Sequence, residues 1–254
     1  MKAKSNKLFR AVIFVSLFIA RSLSAEIAGI GLEKCRIPQR FADCFLEKAY
    51  PNGHDRLVYA TEIGFYVLGW SADGKIACIE ERVLEAQSDF YFFIFDAVSD
   101  ERVACINIPN YHISENVKNP EALVSKYSAM FDELILKHGI KLIPPSFEEF
   151  PARHDGKELE VRINVTGTED EEYATKKMSY DIIAVKDGKK KILNSEIRKE
   201  CDRVLAAGYV KSPYENRIAA IVIFTRYDFE DYKMFVSLYG CSSMRDLRSR
   251  NFAL

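Results

Sequence analysis

The residues that most often announce chemistry are scarce in this chain. Its four histidines (His54, His112, His138, His154) are scattered, and none falls in H-E-x-x-H or beside another at metal-ligand spacing. No C-x-x-C is present, which removes the thioredoxin-like redox motif and the zinc ribbon. There is no G-x-S-x-G elbow, phosphate-cradling glycine loop or dinucleotide fingerprint, so local signatures of serine hydrolysis and nucleotide chemistry are missing too. His154-Asp155, beside a proline-bearing stretch, is the one pair that can orient a base. No residue is singled out as catalytic, cofactor-binding or metal-ligating, and no cofactor is expected.

A hydrophobic run of membrane-spanning length is missing as well. The longest, Ala11 to Ala20 (AVIFVSLFIA), has ten residues, against the ~20 a helix needs to cross a bilayer. Lys2, Lys4, Lys7 and Arg10 precede it, Arg21 closes it, and Ser22, Ser24 and Ala25 follow. That order of basic, apolar and small residues is the pattern of a secretory signal peptide. Residues 1–25 are therefore expected to be removed near Ala25, leaving an exported, periplasmic or secreted product without a transmembrane span. No cysteine stands at the cut, so a lipid anchor is not expected.

Removing 25 residues and five basic charges from 254 residues and 36 basic side chains leaves 229 residues, with 31 basic against 37 acidic. The resulting −6 gains nothing from counterion release on a polyphosphate, so nucleic acid is not an expected partner. All six cysteines survive cleavage. Six thiols allow 15 pairings and spacing alone does not choose among them. Cys35 and Cys44, close together in a polar opening segment, are the expected local bridge. Cys78 and Cys105 lie in apolar strand-like runs and are expected to be small buried hydrophobes; Cys201 and Cys241 are unassigned.

After an irregular segment over 26–56, strands are expected at Glu62–Trp70, Lys75–Glu81, Phe90–Asp96 and Arg102–Ile108. Short turns such as Ser71-Ala72-Asp73-Gly74 join them into a meander over 57–108. Phe90 to Phe95 is apolar on both alternating faces and should be covered on both sides. A long amphipathic helix follows over 119–139. Asn119 caps it, Pro120 takes its first position, Gly139 ends it, and Leu123, Tyr127, Met130, Phe131, Leu134 and Ile135 form its apolar stripe. A linker with Pro144-Pro145 and Pro151 leads to a second meander over 157–240. Its strands are expected at Leu159–Val165, Tyr180–Val185, Lys190–Leu193, Arg217–Thr225 and Tyr232–Tyr239, with a short helix from Glu196 to Ala206. Residues 241–254 form a polar tail. The fold expected is mainly β (α+β): antiparallel meanders with one long and one short helix, packed as one domain in a propeller-like or packed-sheet arrangement.

Two stretches echo each other. Lys75-Ile76-Ala77-Cys78-Ile79 matches Arg217-Ile218-Ala219-Ala220-Ile221, and a constant offset of 142 carries the match to Phe93/Phe235 with 5 identities in 20 positions. Gly69-Trp70 with Ser71 matches Gly208-Tyr209 with Ser212. The unit Trp70-Ser71-Ala72-Asp73-Gly74-Lys75-Ile76-Ala77 resembles the turn-and-strand signature of Tol-B-type and WD-like β-propeller blades. In such blades a hairpin like Ser179 to Leu193 forms the outer edge. Here Ser212-Pro213-Tyr214-Glu215-Asn216 lacks the Asp-Gly, and the chain is too short for a full propeller. GWSADGK, a following aromatic strand and a late GYVKSPYENR are also similar to bacterial, spirochaete-type predicted secreted proteins of unknown function. That likeness implies a compartment and no activity.

The charged clusters read as surface. Glu169-Asp170-Glu171-Glu172 misses the alternating ligands of a calcium loop, and Lys176-Lys177 with Lys189-Lys190-Lys191 is expected to neutralise it nearby. Adjacent strand residues point to opposite faces, so Glu80 and Glu81 cannot share a substrate, even with Asp96 at hand. Asn164-Val165-Thr166 is a glycosylation sequon. The function expected is non-enzymatic binding of another envelope protein or a surface polymer. The alternative is an envelope hydrolase with a dispersed site involving His154 or His112.

Overall fold

The computed structural model describes residues 64–84, 87–109, 120–154, 157–170, 176–228 and 231–242. They form twelve strands and one helix: β1 (Gly64–Trp70), β2 (Lys75–Leu84), β3 (Gln87–Asp96), β4 (Glu101–Ile108), α1 (Pro120–Lys137), β5 (Phe147–Glu148), β6 (Ala152–His154), β7 (Lys157–Asp170), β8 (Lys176–Lys186), β9 (Lys189–Arg198), β10 (Cys201–Lys211), β11 (Arg217–Asp228) and β12 (Asp231–Ser242). Three antiparallel four-stranded sheets result, ordered β1-β2-β3-β4, β12-β11-β10-β5 and β6-β7-β8-β9. The mainly-β, antiparallel expectation therefore holds. The second meander, however, divides between two sheets.

The sheets stack in layers because their faces alternate. Phe92 and Ile94 of β3, with Ala77 and Ile79 of β2, pack under Leu123, Val124, Phe131 and Ile135 of α1. Phe92 and Phe131 stack with ring centroids 4.4 Å apart. The opposite face of the same strands, with Ile76, Cys78, Phe93 and Phe95, packs on Ala219, Ile221, Val236 and Leu238 of the middle sheet. The middle sheet's other face, with Ala220, Val222 and Tyr239, meets Val161, Tyr180 and Ile182 of the third. The order is helix, first sheet, middle sheet, third sheet. The aromatic β3 is covered on both sides, as its sequence requires.

The short helix expected over Glu196–Ala206 is absent. Those residues finish β9, turn at Lys199 and Glu200, the latter at φ 54°, and enter β10. Glu, Arg, Lys and Ala favour helix in isolation, but alternate burial between two sheets overrides a preference worth only tenths of a kcal/mol per residue, up to ~0.7. In α1, Met130 of the expected stripe is exposed and Val124 takes a core place instead. The backbone departs from helical geometry at Tyr127, yet Leu123, Val124, Phe131 and Ile135 still share the buried face. Gly139 ends the helix at φ 63° as expected. Asn119 lies outside the described residues.

The proline-bearing linker has structure of its own. Lys141 exchanges backbone hydrogen bonds with Trp70 on the outer edge of β1, and Phe147–Glu148 then pairs with Tyr209–Val210 on the outer edge of β10. Glycine permits both approaches. A Cβ on Gly69 would sit 2.0 Å from the Lys141 carbonyl oxygen, and one on Gly208 would sit 2.5 Å from that of Glu148. One segment thus ties the first and middle sheets edge to edge.

The internal echo has a structural basis, with a corrected register. β1-β2-β3 and β10-β11-β12 are the same meander, and each has a buried serine in the turn between its first two strands. Ser71 N–H donates to the Lys75 carbonyl at 2.8 Å, and Ser212 N–H to that of Arg217 at 2.9 Å. Lys75 pairs with Asp96 and Arg217 with Ser242, so the offset is 142 on the first strand of the hairpin but 146 on the second. The second hairpin is four residues longer, which a gapless alignment cannot see. Ser179–Leu193 does form most of a hairpin, β8–β9, but in the third sheet rather than beside β11.

Candidate functional site

The residues singled out from sequence do not converge. Cys35, Cys44, His54 and His112 lie outside the described residues, as does the side chain of His154. His138 ends α1; burial, then the neighbouring Lys137, holds its imidazole below the usual range. Cys78 is buried as expected, but Cys105 is exposed, because β4 is an edge strand that the middle sheet does not cover. Cys201 and Cys241 are both buried, and burial pushes the Cys241 thiol up to about 11. Glu169 pairs with Lys177 at 2.9 Å. Lys189 to Lys191 cannot join them, since the pairing of β8 with β9 places them opposite Ala184 to Lys186 at the far end of the strand. Asn164 is exposed on β7. Among the described residues no group of three His, Cys, Asp or Glu side chains could hold a metal.

What the fold does bring together is arginine, carboxylate and aromatic side chains, along the edge where β4, β12 and β9 run near one another. The sequence contains four E-x-R triplets, and two-residue spacing on a strand puts both charges on one face. In the first, Arg82 Nε donates to Glu80 at 2.9 Å, and Arg102 of β4 donates to the other oxygen at 3.1 Å. Glu80 is only 1% exposed, while both arginines reach solvent. Arg102 lies 4.0 Å above the Phe93 ring, and Arg82 lies 4.3 Å above Tyr91 and 5.6 Å from Phe235 of β12.

A second triplet answers it from the third sheet. Glu196 of β9 accepts hydrogen bonds from Tyr180 at 2.9 Å and from Tyr239 of β12, and pairs with Arg198. Arg198 donates to Tyr180 at 2.7 Å and to Ser237 of β12 at 3.3 Å. Its guanidinium stands 3.7 Å over Phe224, which stacks on Phe235 at 5.1 Å. A continuous ladder therefore runs Arg82–Phe235–Phe224–Arg198, from the first sheet across the middle sheet to the third. Burial first, then the bond to Glu196, pushes the Tyr239 hydroxyl up to about 12. Burial likewise raises Tyr180.

Chemically, this edge presents guanidinium planes and aromatic faces, the groups over-represented in protein interfaces. Glu80 and Glu196 are both engaged by arginine, which fixes the guanidinium planes in position. The triplet spacing was visible in the sequence. Its pairing across three sheets was not, because partners such as Arg102 for Glu80 and Tyr239 for Glu196 come from other strands. Comparison of the chain with protein-family models, with curated proteins and with solved structures finds no match.

Proposed function

We propose that this is an exported bacterial envelope protein with a non-enzymatic binding role, which recognises another protein or a surface polymer through the β4–β12–β9 edge. The observation that carries the reading is the engagement of Glu80 by Arg82 and Arg102, and of Glu196 by Arg198 with Tyr180 and Tyr239, all three arginines being partly exposed. Glu80 ties β2 to β4 within the first sheet and Glu196 ties β9 to β12 between sheets, so both carboxylates serve to hold the arginine and aromatic groups in place. Export is supported by the basic, apolar and small residues of 1–25, with cleavage near Ala25. No helix among the described residues is long and apolar enough to cross a membrane.

The test is capture from envelope extract by the cleaved protein and by Arg102→Glu, with circular dichroism to verify that the variant folds. The reading expects a partner retained by the wild type and lost by the folded variant. Turnover in a hydrolase panel, abolished by Glu196→Gln or His154→Ala and with no Arg102-dependent capture, would reverse it.

A further inference from the structure

The middle sheet is one strand short on the side where the first sheet continues. The outer edge of β3 is covered by β4, whereas β12, its counterpart, has no strand beyond it among the described residues. The N–H of Gly240 leaves that open edge and is taken by the Asp100 carboxylate from the β3–β4 turn. Alternation along a strand puts the N–H and C=O groups of Leu238 and Val236 on the same side. The edge forms the floor of a slot. One wall is the face of β4 turned toward the middle sheet, with Arg102 lying over Phe93 and Cys105 exposed. The other is β9, held against β12 by Arg198 and Glu196. The edge is thus approached from the first sheet by the β3–β4 turn and from the third by β9.

We propose that β12 receives an extended segment of a partner protein by strand addition, and that this segment alternates acidic with aromatic or aliphatic side chains. The inference rests on the binding role above and names its mode. Main-chain groups of Val236 and Leu238 supply the pairing, and the walls supply selectivity through alternate side chains. Toward the first sheet, an incoming side chain meets Arg102, which commits one of its five N–H donors to Glu80 and is 36% exposed. The other charged groups facing it are Glu80, held by both arginines, Asp89, paired across from Arg82 on the strand ladder, and Asp100, which takes the Gly240 N–H at the end of the edge. A carboxylate fits there and an ammonium does not. Toward the third sheet, the incoming side chain lies beside the Phe235 ring, which is backed by Phe224 under Arg198 and favours an apolar or aromatic group.

The probe is a capped octapeptide alternating glutamate with valine and phenylalanine. Its controls are a lysine-for-glutamate version and one N-methylated on alternate amides, all titrated by fluorescence anisotropy with amide exchange followed by NMR. The glutamate peptide is expected to bind and to slow exchange at Val236 and Leu238. Arg102→Glu should weaken it at least about tenfold, as should replacement of glutamate by lysine. N-methylation of the bonding edge should abolish binding, which separates strand addition from simple charge attraction. Absence of binding at about 1 mM, equal binding of the lysine or methylated peptides, or binding without protection on β12 would overturn the proposal. Concentration-dependent protection of β12 without peptide would also overturn it, in favour of a second copy of this chain. Failure of the peptide with Arg102-dependent capture intact would refute strand addition by such a segment and leave the binding role standing.

Discussion

Glu80 is the residue on which the first sheet's open wall depends. It is buried and shared by two arginines that reach solvent. Removing its charge strands both guanidiniums, so Glu80→Gln is expected to cost about 2–3 kcal/mol, below the range for a fully buried pair because the arginines keep some water. A urea titration checks this, and a loss under about 0.5 kcal/mol would mean the pair contributes little. Tyr239 makes a pH-dependent contribution. Burial and its bond to Glu196 raise the folded hydroxyl to about 12, while an unfolded tyrosine ionises near ~10. The folded state therefore holds its proton longer than the unfolded state. The stability this supplies is fully present below about pH 10 and is lost as pH rises toward 12. Denaturant midpoints across that interval should fall less steeply in Tyr239→Phe than in the wild type.

At the scale of elements, strands were legible wherever residues of one kind recur at period two. Phe90–Phe95 reads as doubly covered and is, because alternation alone specifies both faces. The helix at Pro120 was equally legible, from its proline start and its glycine stop at φ 63°. Its packing gives a direct test. Phe131 is fully buried and stacks on Phe92, so Phe131→Ala should cost about 3–5 kcal/mol in thermal or urea unfolding. The Glu196–Ala206 region misled because helix-favouring composition and a strand's alternation coexist there, and only the sheets on either side decide between them. Strand ends were underestimated for a related reason. Lys157–Asp170 and Lys176–Lys186 extend past their apolar cores into charged tips, where hydrogen bonding continues after burial stops.

At the scale of the whole molecule, the sequence held the repeated meander but not its placement. Lys75–Ile79 and Arg217–Ile221 proclaim a common strand, yet nothing local says that the third sheet is made before the middle one is completed. That order is a long-range matter, set by which apolar faces remain to be covered. The arginine–aromatic edge shares this property, since it exists only once β4, β12 and β9 are brought side by side. The binding role turns on that edge being open in the intact protein. Residue-resolved amide exchange along β12 measures it directly. Outward N–H groups at Val236 and Leu238 should exchange quickly and those of Ser237 and Tyr239 slowly, with Gly240 slowed by Asp100. Uniformly slow exchange from Val236 to Gly240 in the protein without ligand would show the edge already paired and would contradict the account.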